Sequence, residues 1–326
     1  TPAGALDGLD SGRVQKIEAG DVEGLVSRIR SHLEGRISSP EEPLVFPTWS
    51  EQAALLTRVL GLDEEGFSVD WLRMREPYDH AARSKSLAQK FDALLGTGPR
   101  RVMEIATGLG SGTRFLAQQF EREAEWFLVD RDPKLLAFLN RDMASQQLQY
   151  QTVQHDLRYL EALEIEVEGI TTQALLDLVS HDWLQAFADW LAARRVPFLG
   201  ALSVDGRVLW SPSDPRDDAV QHAFRTHQTW DRGFGPSPGP DAAPTLKRLL
   251  EERDFTVHLE SADWMIPASD TSMVSAMVEG IASAAREAAH DAGVQTEVVD
   301  RWRDERLSQV GTLSIQVGHW DLLAMP

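Results

Sequence analysis

The chain has 326 residues, 42% of them hydrophobic, carries a formal net charge of −19 and contains no cysteine. This length suffices for one large hydrophobic core, with or without a small accessory domain, and the lack of cysteine excludes disulfides, thiolate metal sites and a cysteine nucleophile. So acidic a chain repels the phosphate backbone of nucleic acids, and its basic residues, mostly Arg, are interleaved with acids and form no patch.

No apolar run approaches the roughly 20 residues that a membrane-spanning helix needs. The segment TPAGALDGLD at the start has neither the basic beginning nor the apolar core of a secretory signal. We therefore expect a cytoplasmic protein without membrane contact. The sequence does not predict an oligomeric state.

Two helices are predicted in the first 75 residues. One covers residues 21–34, and a second begins at Thr48, whose spacing to Glu51 is that of a capping box. We expect residues 1–75 to form a helical extension that serves either as a cap over a functional site or for packing and dimerisation, and residues 76–326 to form the main domain. The apolar face of the first helix consists of Val22, Leu25, Val26, Ile29 and Leu33.

After a predicted helix over residues 77–95, the segment RVMEIATGLGSGTRFLA (101–117) combines a short buried strand, a glycine turn and the start of a helix. Gly108, Gly110 and Gly112 form a G-x-G-x-G pattern that lets the backbone approach a ligand closely. The pattern differs from the G-x-G-x-x-G of dinucleotide enzymes because Thr occupies position 113. Glu104 is an acid at a strand position where an apolar residue is expected.

Acids also end the next two predicted strands. EWFLVD ends at Asp130, the usual place for a carboxylate that binds both hydroxyls of a ribose. LQYQTVQ precedes Asp156, whose side chain, with the backbone N–H of Leu157, is suited to the amine and N1 of adenine. Asp132 before Pro133 is interpreted as a helix N-cap. Together these features favour an adenosyl ligand with a positively charged amino-acid tail, S-adenosylmethionine.

The fourth strand is predicted in GITTQALLDL, with Gln173 and Ala174 at the rim of the ligand crevice. His181 and Asp182 lie in the first turn of the next helix and are expected to point into the crevice, whereas the aromatic residues that follow them form a core stripe. FLGALSV is the fifth strand, and Asp205-Gly206 predicts a tight turn into RVLWSP. Asp214-Pro215 predicts the start of another helix.

The longest predicted loop, residues 227–242, carries His227, Trp230, Asp231, Arg232 and Phe234 among glycines and prolines. We expect it to be either an acceptor-binding element or a mobile surface connection. The remaining residues predict a helix over 241–253, a strand TVHLES, helices from about 270 to 308 and a last strand SIQVGHWDLLA.

On Glu104, Ala106, the three glycines, Asp130 and Asp156, the sequence resembles the class I S-adenosylmethionine-dependent methyltransferases over roughly residues 76–210. The segments at 75–87, 174–184, 227–242 and 317–326 resemble a bacterial group of these enzymes with unassigned substrates. The resemblance implies an α/β fold, a doubly wound, Rossmann-like sheet of seven strands whose seventh strand is antiparallel. It also implies that the helix before the first strand lies across the cofactor, where Tyr78 or Arg83 contacts the methionine carboxylate. The alternative is that the basic residues of this helix form a solvent-exposed face without a ligand.

The predicted chemistry is methyl transfer from S-adenosylmethionine to a small-molecule acceptor, and the alternative is a non-catalytic binder of the same cofactor. A nicotinamide-dependent oxidoreductase is disfavoured because it would give Asp156 no role. A methyltransferase acting on nucleic-acid amines is disfavoured because the segment TQALLD after the fourth strand lacks their signature. No metal site is predicted. His181 and His227 are the candidate general bases, needed if the acceptor is a hydroxyl. The predicted cofactor-binding residues are Tyr78, Arg83, Glu104, Ala106, Thr107, Gly108, Gly110, Asp130, Arg131, Asp156, Leu157 and Gln173.

Overall fold

The computed structural model describes residues 68–326, and helices and strands alternate there as βαβ units require. The strands are β1 (Arg101–Ile105), β2 (Glu125–Asp130), β3 (Gln149–Gln154), β4 (Gly169–Gln173), β5 (Phe198–Ser211), β6 (Thr256–Ser261), β7 (Trp264–Ile266) and β8 (Ser314–Met325). The α-helices are α1 (Val69–Ala82), α2 (Lys85–Leu94), α3 (Ser111–Gln119), α4 (Pro133–Met143), α5 (His181–Arg194), α6 (Asp217–Gln228), α7 (Ala242–Glu251), α8 (Thr271–Glu287) and α9 (Thr296–Ser308).

Seven of these strands follow one another across the sheet in the order β3-β2-β1-β4-β5-β8-β6, and β7 pairs with β8 beside them. The pairs among β1 to β5 are parallel, whereas β8 runs antiparallel between β5 and β6. The strand order reverses between β1 and β4, where the carboxyl ends of an open α/β sheet leave a ligand crevice. The predicted doubly wound sheet with an antiparallel last strand is confirmed.

Helices cover both faces of the sheet. On one face, α5 and α7 bury a core that includes Leu184, Phe187 and Leu246, and on the other α2, α3 and α4 bury Phe91, Leu116 and Leu139. A third core joins α6, α8 and α9 to the far halves of β5 and β8. The sheet is therefore held rigidly between helical layers, which positions the loops at its carboxyl edge.

Local sequence signals account for several helix starts. Asp132 accepts a hydrogen bond from the backbone N–H of Lys134 with Pro133 in the first turn, as predicted, and Ser180 caps α5 in the same manner. The aromatic stripe of α5, including Trp183 and Trp190, is buried as expected. These caps fix where the helices begin relative to the ends of the strands.

Three predicted boundaries are wrong. The helix expected over 77–95 is two helices, because Arg83 adopts extended backbone (ψ 138°) and Ser84 caps α2. Asp205-Gly206 makes no chain reversal: β5 continues through it with a register shift, because β8 pairs with it on both sides. The helix expected at Asp214 begins at Asp217, since the Asp214 carboxylate accepts from the backbone N–H of Arg216 in a preceding turn.

The strand β7 was not predicted, as three residues are too few to show a period. The helices predicted over 21–34 and from Thr48 lie outside the described residues. The proposed domain boundary after residue 75 falls within α1, which is continuous from Val69 to Ala82.

Candidate functional site

The backbone between β1 and α3 turns through three left-handed residues. Their φ values are 52° at Ala106, 55° at Gly108 and 78° at Gly110. Glycine adopts this conformation freely, whereas Ala106 does so at a cost of about 1–2 kcal/mol. Gly112, the last glycine of the motif, lies within α3 and has another role, because a Cβ there would fall on the Glu104 carboxylate and on the Gln173 side chain. We call residues 106–112 the glycine loop.

Glu104 is fully buried beneath the glycine loop. Its Oε2 accepts hydrogen bonds from the hydroxyl of Thr107 (2.9 Å), the hydroxyl of Thr113 (2.5 Å) and the backbone N–H of Thr113 (3.1 Å). Its Oε1 has no partner. Burial raises the pKa of this carboxyl, and the bonds from Thr113 and Thr107 oppose the shift. One carboxylate oxygen therefore organises the loop while the other remains unpartnered.

Arg83, at the end of α1, lies against the same loop. Its Nη1 donates to the carbonyl and the hydroxyl of Ser111, both at 3.2 Å. Its Nε and Nη2 are buried without a hydrogen-bond partner, and the closest carboxylate to Nη2 is that of Asp79 at 3.9 Å. Burial lowers the pKa of the guanidinium, while Asp79 and Glu104 act to raise it. A buried cation with free donors thus lies near the free oxygen of Glu104.

Other residues of α1 also contact the glycine loop. The ring of His80 lies 3.1 Å from the Ser111 carbonyl, and a Cβ at Gly108 would contact Leu72. Burial lowers the pKa of His80. Sequence reasoning missed both residues, because only the packing of α1 brings them to the loop.

Tyr78 is also on α1, but its side chain contacts Asp270 and Trp264 instead of the glycine loop. Its hydroxyl donates to Asp270 (2.6 Å) at the N-terminus of α8, and its ring packs against Trp264. Burial and this bond raise the pKa of Tyr78 to about 12. Its partners are thus the helix α8 and the strand β7.

Asp130, at the end of β2, holds the glycine loop directly. Its Oδ2 accepts from the backbone N–H of Gly108 (2.8 Å) and its Oδ1 from that of Asp132 (3.0 Å). Burial raises the pKa of the carboxyl against these two bonds. Each oxygen keeps a further lone pair for another donor.

Asp156 begins a short 3₁₀ helix after β3. It accepts from the backbone N–H of Arg158 and pairs with its guanidinium, and these bonds lower the pKa of Asp156. The carbonyl of the next residue, Leu157, accepts from Trp183 Nε1 at 2.7 Å. The two residues lie beside Asp130 along the carboxyl edge, since β2 and β3 are parallel neighbours.

Gln173 ends β4, and its amide oxygen is buried without a partner. Arg131, directly after Asp130, approaches residue 233 of the 227–242 loop, where a Cβ would lie 4.0 Å from Nη1. The predicted cofactor residues from β1, β2, β3 and β4 therefore line one edge of the sheet.

The 227–242 loop lies on the segment that follows β4. Phe234 packs edge-on against Trp183, and the hydroxyl of Ser237 donates to the Asp177 carbonyl at 2.6 Å. The Asp231 carboxylate accepts from the backbone N–H groups of Gly233 and Gly235. This loop is thus an ordered turn next to Leu157 and Trp183.

The two predicted bases differ in environment. His181 is the first residue of α5, and its side chain is 52% exposed. His227 lies in the last turn of α6. The Arg232 guanidinium lies 2.9 Å from its Nδ1, and the Glu287 carboxylate lies 3.3 Å from its Nε2. Burial and Arg232 lower the pKa of His227. In the described part of the chain, the rings of His181 and His227 share no contact residue, so the structure does not bring the two predicted bases together.

Among residues 68–326, no three His, Asp or Glu side chains are grouped closely enough to hold a metal ion. No helix in this part of the chain has the length and apolar content to cross a membrane.

Residues 102–195 match a family model described as a methyltransferase domain, and no curated protein sequence matches the chain significantly. Similar solved structures include a mycolic acid cyclopropane synthase complexed with SAH and CTAB, at 12% identity over 73% of this chain and 83% of that one, with a TM-score of 0.42. A cyclopropane synthase from Mycobacterium tuberculosis has 15% identity over 72% and 82%, with a TM-score of 0.38. A putative sarcosine dimethylglycine methyltransferase from Galdieria sulphuraria has 12% identity over 73% and 83%, with a TM-score of 0.37. Likenesses this distant do not identify a ligand.

Proposed function

We propose that this chain, in which residues 102–195 match a model of a methyltransferase domain, is a class I S-adenosylmethionine-dependent methyltransferase that transfers a methyl group from S-adenosylmethionine to a small-molecule acceptor. Its acidic composition, with a net charge of −19, disfavours nucleic acid as the acceptor. A cytoplasmic location remains a prediction from the sequence.

The observation that carries this proposal is that two ionic groups beside the glycine loop keep buried atoms without a hydrogen bond. Nε and Nη2 of Arg83 and Oε1 of Glu104 are buried without hydrogen bonds. A buried donor or acceptor that is left without a hydrogen bond costs about 1–3 kcal/mol, and more when its group is charged. A zwitterionic amino-acid group would satisfy both, with its carboxylate on Arg83 and its ammonium on Glu104. The methionine part of the cofactor is such a group.

The rest of the cofactor fits the same edge. Asp130 has lone pairs left to accept the ribose hydroxyls, and Asp156 with the backbone of Leu157 lies one strand further, where adenine would bind. Gly108 and Gly110 have a left-handed backbone that glycine adopts freely, and neither adds a side chain to the loop that a ligand would approach.

The remaining predicted residues have supporting roles in this proposal. Thr107 orients Glu104 through its hydroxyl, and Gln173 adds an unpartnered amide oxygen near the ammonium position. Ala106 shapes the loop backbone, and Arg131 faces the 227–242 loop from the ribose side. For Tyr78 the role is limited to anchoring α1 through Asp270.

The bound cofactor supplies a methyl group that its sulfonium has already activated. The protein therefore has to align the acceptor, which supplies several kcal/mol, and to exclude water around the charge that disappears on transfer. If the acceptor carries a proton, a base must remove it.

Calorimetric titration with S-adenosylhomocysteine tests the cofactor site. Arg83→Met and Asp130→Asn should each weaken binding about 10- to 100-fold, because each removes a charge-assisted contact worth about 1.5–3 kcal/mol. Arg73→Met is the matched control on α1, since Arg73 is half exposed and pairs with Asp142 at the surface.

Thermal unfolding of each variant shows whether it remains folded. Unchanged affinity in folded Arg83→Met and Asp130→Asn proteins, or tighter binding of NAD than of the adenosyl ligand, would refute the proposed function.

A further inference from the structure

The link between α1 and α2 is held by a buried carboxylate from the last strand. Asp321, on β8, is 2% exposed, and its Oδ2 accepts a hydrogen bond from the backbone N–H of Ser84 at 2.7 Å. In a continuous helix this N–H would donate to the carbonyl of His80, four residues earlier. Asp321 therefore takes the place of a helical hydrogen bond at the point where α1 ends.

The residue at this helix break is Arg83, the proposed partner of the methionine carboxylate. Its backbone leaves the helical conformation, with φ −56° and ψ 138°, while its side chain lies against Ser111 in the glycine loop. The amide that follows Arg83 in the chain is the one that Asp321 holds. The position of the guanidinium is thus tied to β8 through a single peptide unit.

Ser84 is fixed through its side chain as well. Its hydroxyl donates to the Glu260 carboxylate and accepts from the backbone N–H of Leu87, which caps α2. Glu260 lies on β6 directly opposite Asp321 in the antiparallel pair of β6 and β8. Two neighbouring acids of the sheet therefore bind the N–H and the hydroxyl of one residue.

The other oxygen of Asp321 is bonded to β5. Its Oδ1 accepts from the backbone N–H of Leu202 at 2.8 Å. Leu202 lies in a bulge, because the register of β5 against β8 shifts between Gly200 and Ser203 and leaves two residues of β5 opposite Asp321. Its φ of 57° is left-handed, a conformation that a leucine keeps only when its surroundings hold it there. With both oxygens bonded, the carboxylate cannot turn without losing a buried hydrogen bond.

The charges of Asp321 and Arg83 also act on each other. Burial raises the pKa of Asp321 to about 6, and the two backbone bonds and the charge of Arg83 oppose the shift. Burial lowers the pKa of Arg83, and Asp321 is among the carboxylates that act to raise it. Among the described side chains, no hydrogen bond joins these two, which leaves Nε and Nη2 of Arg83 for a ligand.

We propose that Asp321 is a positioning residue of the cofactor site: by holding the backbone N–H of Ser84, it ends α1 at Arg83 and fixes the guanidinium where it meets the methionine carboxylate of S-adenosylmethionine. The inference rests on the proposed function, since it assumes that Arg83 binds this carboxylate. Asp321 acts through Ser84 and Arg83 and needs no contact with the cofactor. It should therefore affect binding of the amino-acid part of the ligand and not of the adenosine part.

Calorimetric titration with two ligands separates positioning from a general structural role. S-adenosylhomocysteine has the amino-acid group, whereas 5′-methylthioadenosine has the adenosine and the sulfur but lacks that group. Asp321→Ala should weaken binding of S-adenosylhomocysteine about tenfold, the effect of losing one hydrogen bond, and should leave the affinity for 5′-methylthioadenosine unchanged. Asp321→Asn, which keeps one acceptor oxygen, should show a smaller loss with the same selectivity.

A double-mutant cycle tests whether Asp321 acts through Arg83. In the Arg83→Met background, Asp321→Ala should lower the affinity for S-adenosylhomocysteine no further, because the contact that Asp321 positions is already absent. Asp214→Ala is the matched control. Its carboxylate is also buried and accepts from a backbone N–H, that of Arg216, but this bond lies in the turn before α6, so the affinity should not change.

Thermal unfolding shows which variants are folded, and if Asp321→Ala is not, Asp321→Asn carries the test with the same two ligands. Equal losses for the two ligands, or an unchanged or higher affinity for S-adenosylhomocysteine in a folded variant, would overturn the inference. So would additive losses in the cycle. Failure of the wild-type protein to bind S-adenosylhomocysteine, or unchanged binding in Arg83→Met, would instead refute the proposed function.

Discussion

At the scale of single residues, Glu104 connects the strand, the loop and the helix of the proposed cofactor site. One of its oxygens accepts three hydrogen bonds from Thr107 and Thr113, so the side chain cannot move without breaking them. The other oxygen is free to bind a ligand. An acid in a buried strand is costly unless it is bonded in this way, so its place in β1 is explained by the loop that it holds.

We predict that Gly112→Ala destabilises the protein by about 1–3 kcal/mol. The added Cβ would overlap the Glu104 carboxylate, which cannot yield, and this outweighs the roughly 1 kcal/mol that Ala gains over Gly in a helix. Urea unfolding measures the change. Gly98→Ala is the control, because nothing lies near a Cβ there, and equal stabilities of the two variants would contradict the prediction.

At the scale of elements, α1 and the 227–242 loop both reach the residues that follow the carboxyl ends of the strands. α1 brings Arg83 and His80 to the glycine loop, and the 227–242 loop packs Phe234 on Trp183. Both segments therefore contact the rim of the proposed site. Within the 227–242 loop, the turn around Asp231 is held by hydrogen bonds that we expect to limit the opening of the loop.

Asp231→Ala should speed amide hydrogen exchange in the 227–242 loop. The Asp231 carboxylate accepts from the backbone N–H groups of Gly233 and Gly235 at 2.7 and 2.8 Å, and both lose their partner in the variant. Mass spectrometry of the peptides that cover the loop reports this. Asp241→Ala serves as the control, since the Asp241 side chain makes no capping bond. Unchanged exchange in Asp231→Ala would show that packing on α5 suffices.

At the scale of the whole molecule, an acidic chain buries several of its carboxyls. Burial raises the pKa of Asp321 to about 6, against hydrogen bonds from the backbone of Ser84 and Leu202. The pKa of Asp177 is also raised to about 6 by burial. Asp214 is the opposite case, because its bond with Arg216 lowers its pKa to about 2.

A raised pKa in the folded state means that the folded protein binds the proton more tightly than the unfolded chain. The stability that Asp321 contributes is therefore fully present below its ordinary pKa near 4 and is lost as the pH rises to about 6, by on the order of 3 kcal/mol. For Asp214 the contribution is present above pH 4 and is lost as the pH falls toward 2.

We therefore predict that the free energy of unfolding of wild type, relative to Asp321→Asn, falls between about pH 4 and 6, because only the wild type has the carboxyl that must ionise. Urea unfolding at several pH values measures it. In Asp214→Asn the difference from wild type should stay constant over this interval. A constant difference for Asp321→Asn as well would show that Asp321 titrates normally.

The sequence alone determined most of the local structure and part of the site. Period-two and period-3.6 patterns, caps and glycines act over a few residues, so β1 to β4, the helix starts at Pro133 and His181 and the acids at the strand ends were predictable. Asp130 and Asp156 follow from this, because parallel strands must present their carboxyl ends on one edge.

Only the tertiary structure decided which distant side chains meet. The contacts of Arg83 with Ser111 and of Trp264 with His319 join segments far apart in sequence, and no local pattern encodes them. For the same reason Asp205-Gly206, locally a turn, continues as a strand: the antiparallel pairing of β5 with β8 on both sides outweighs the local preference.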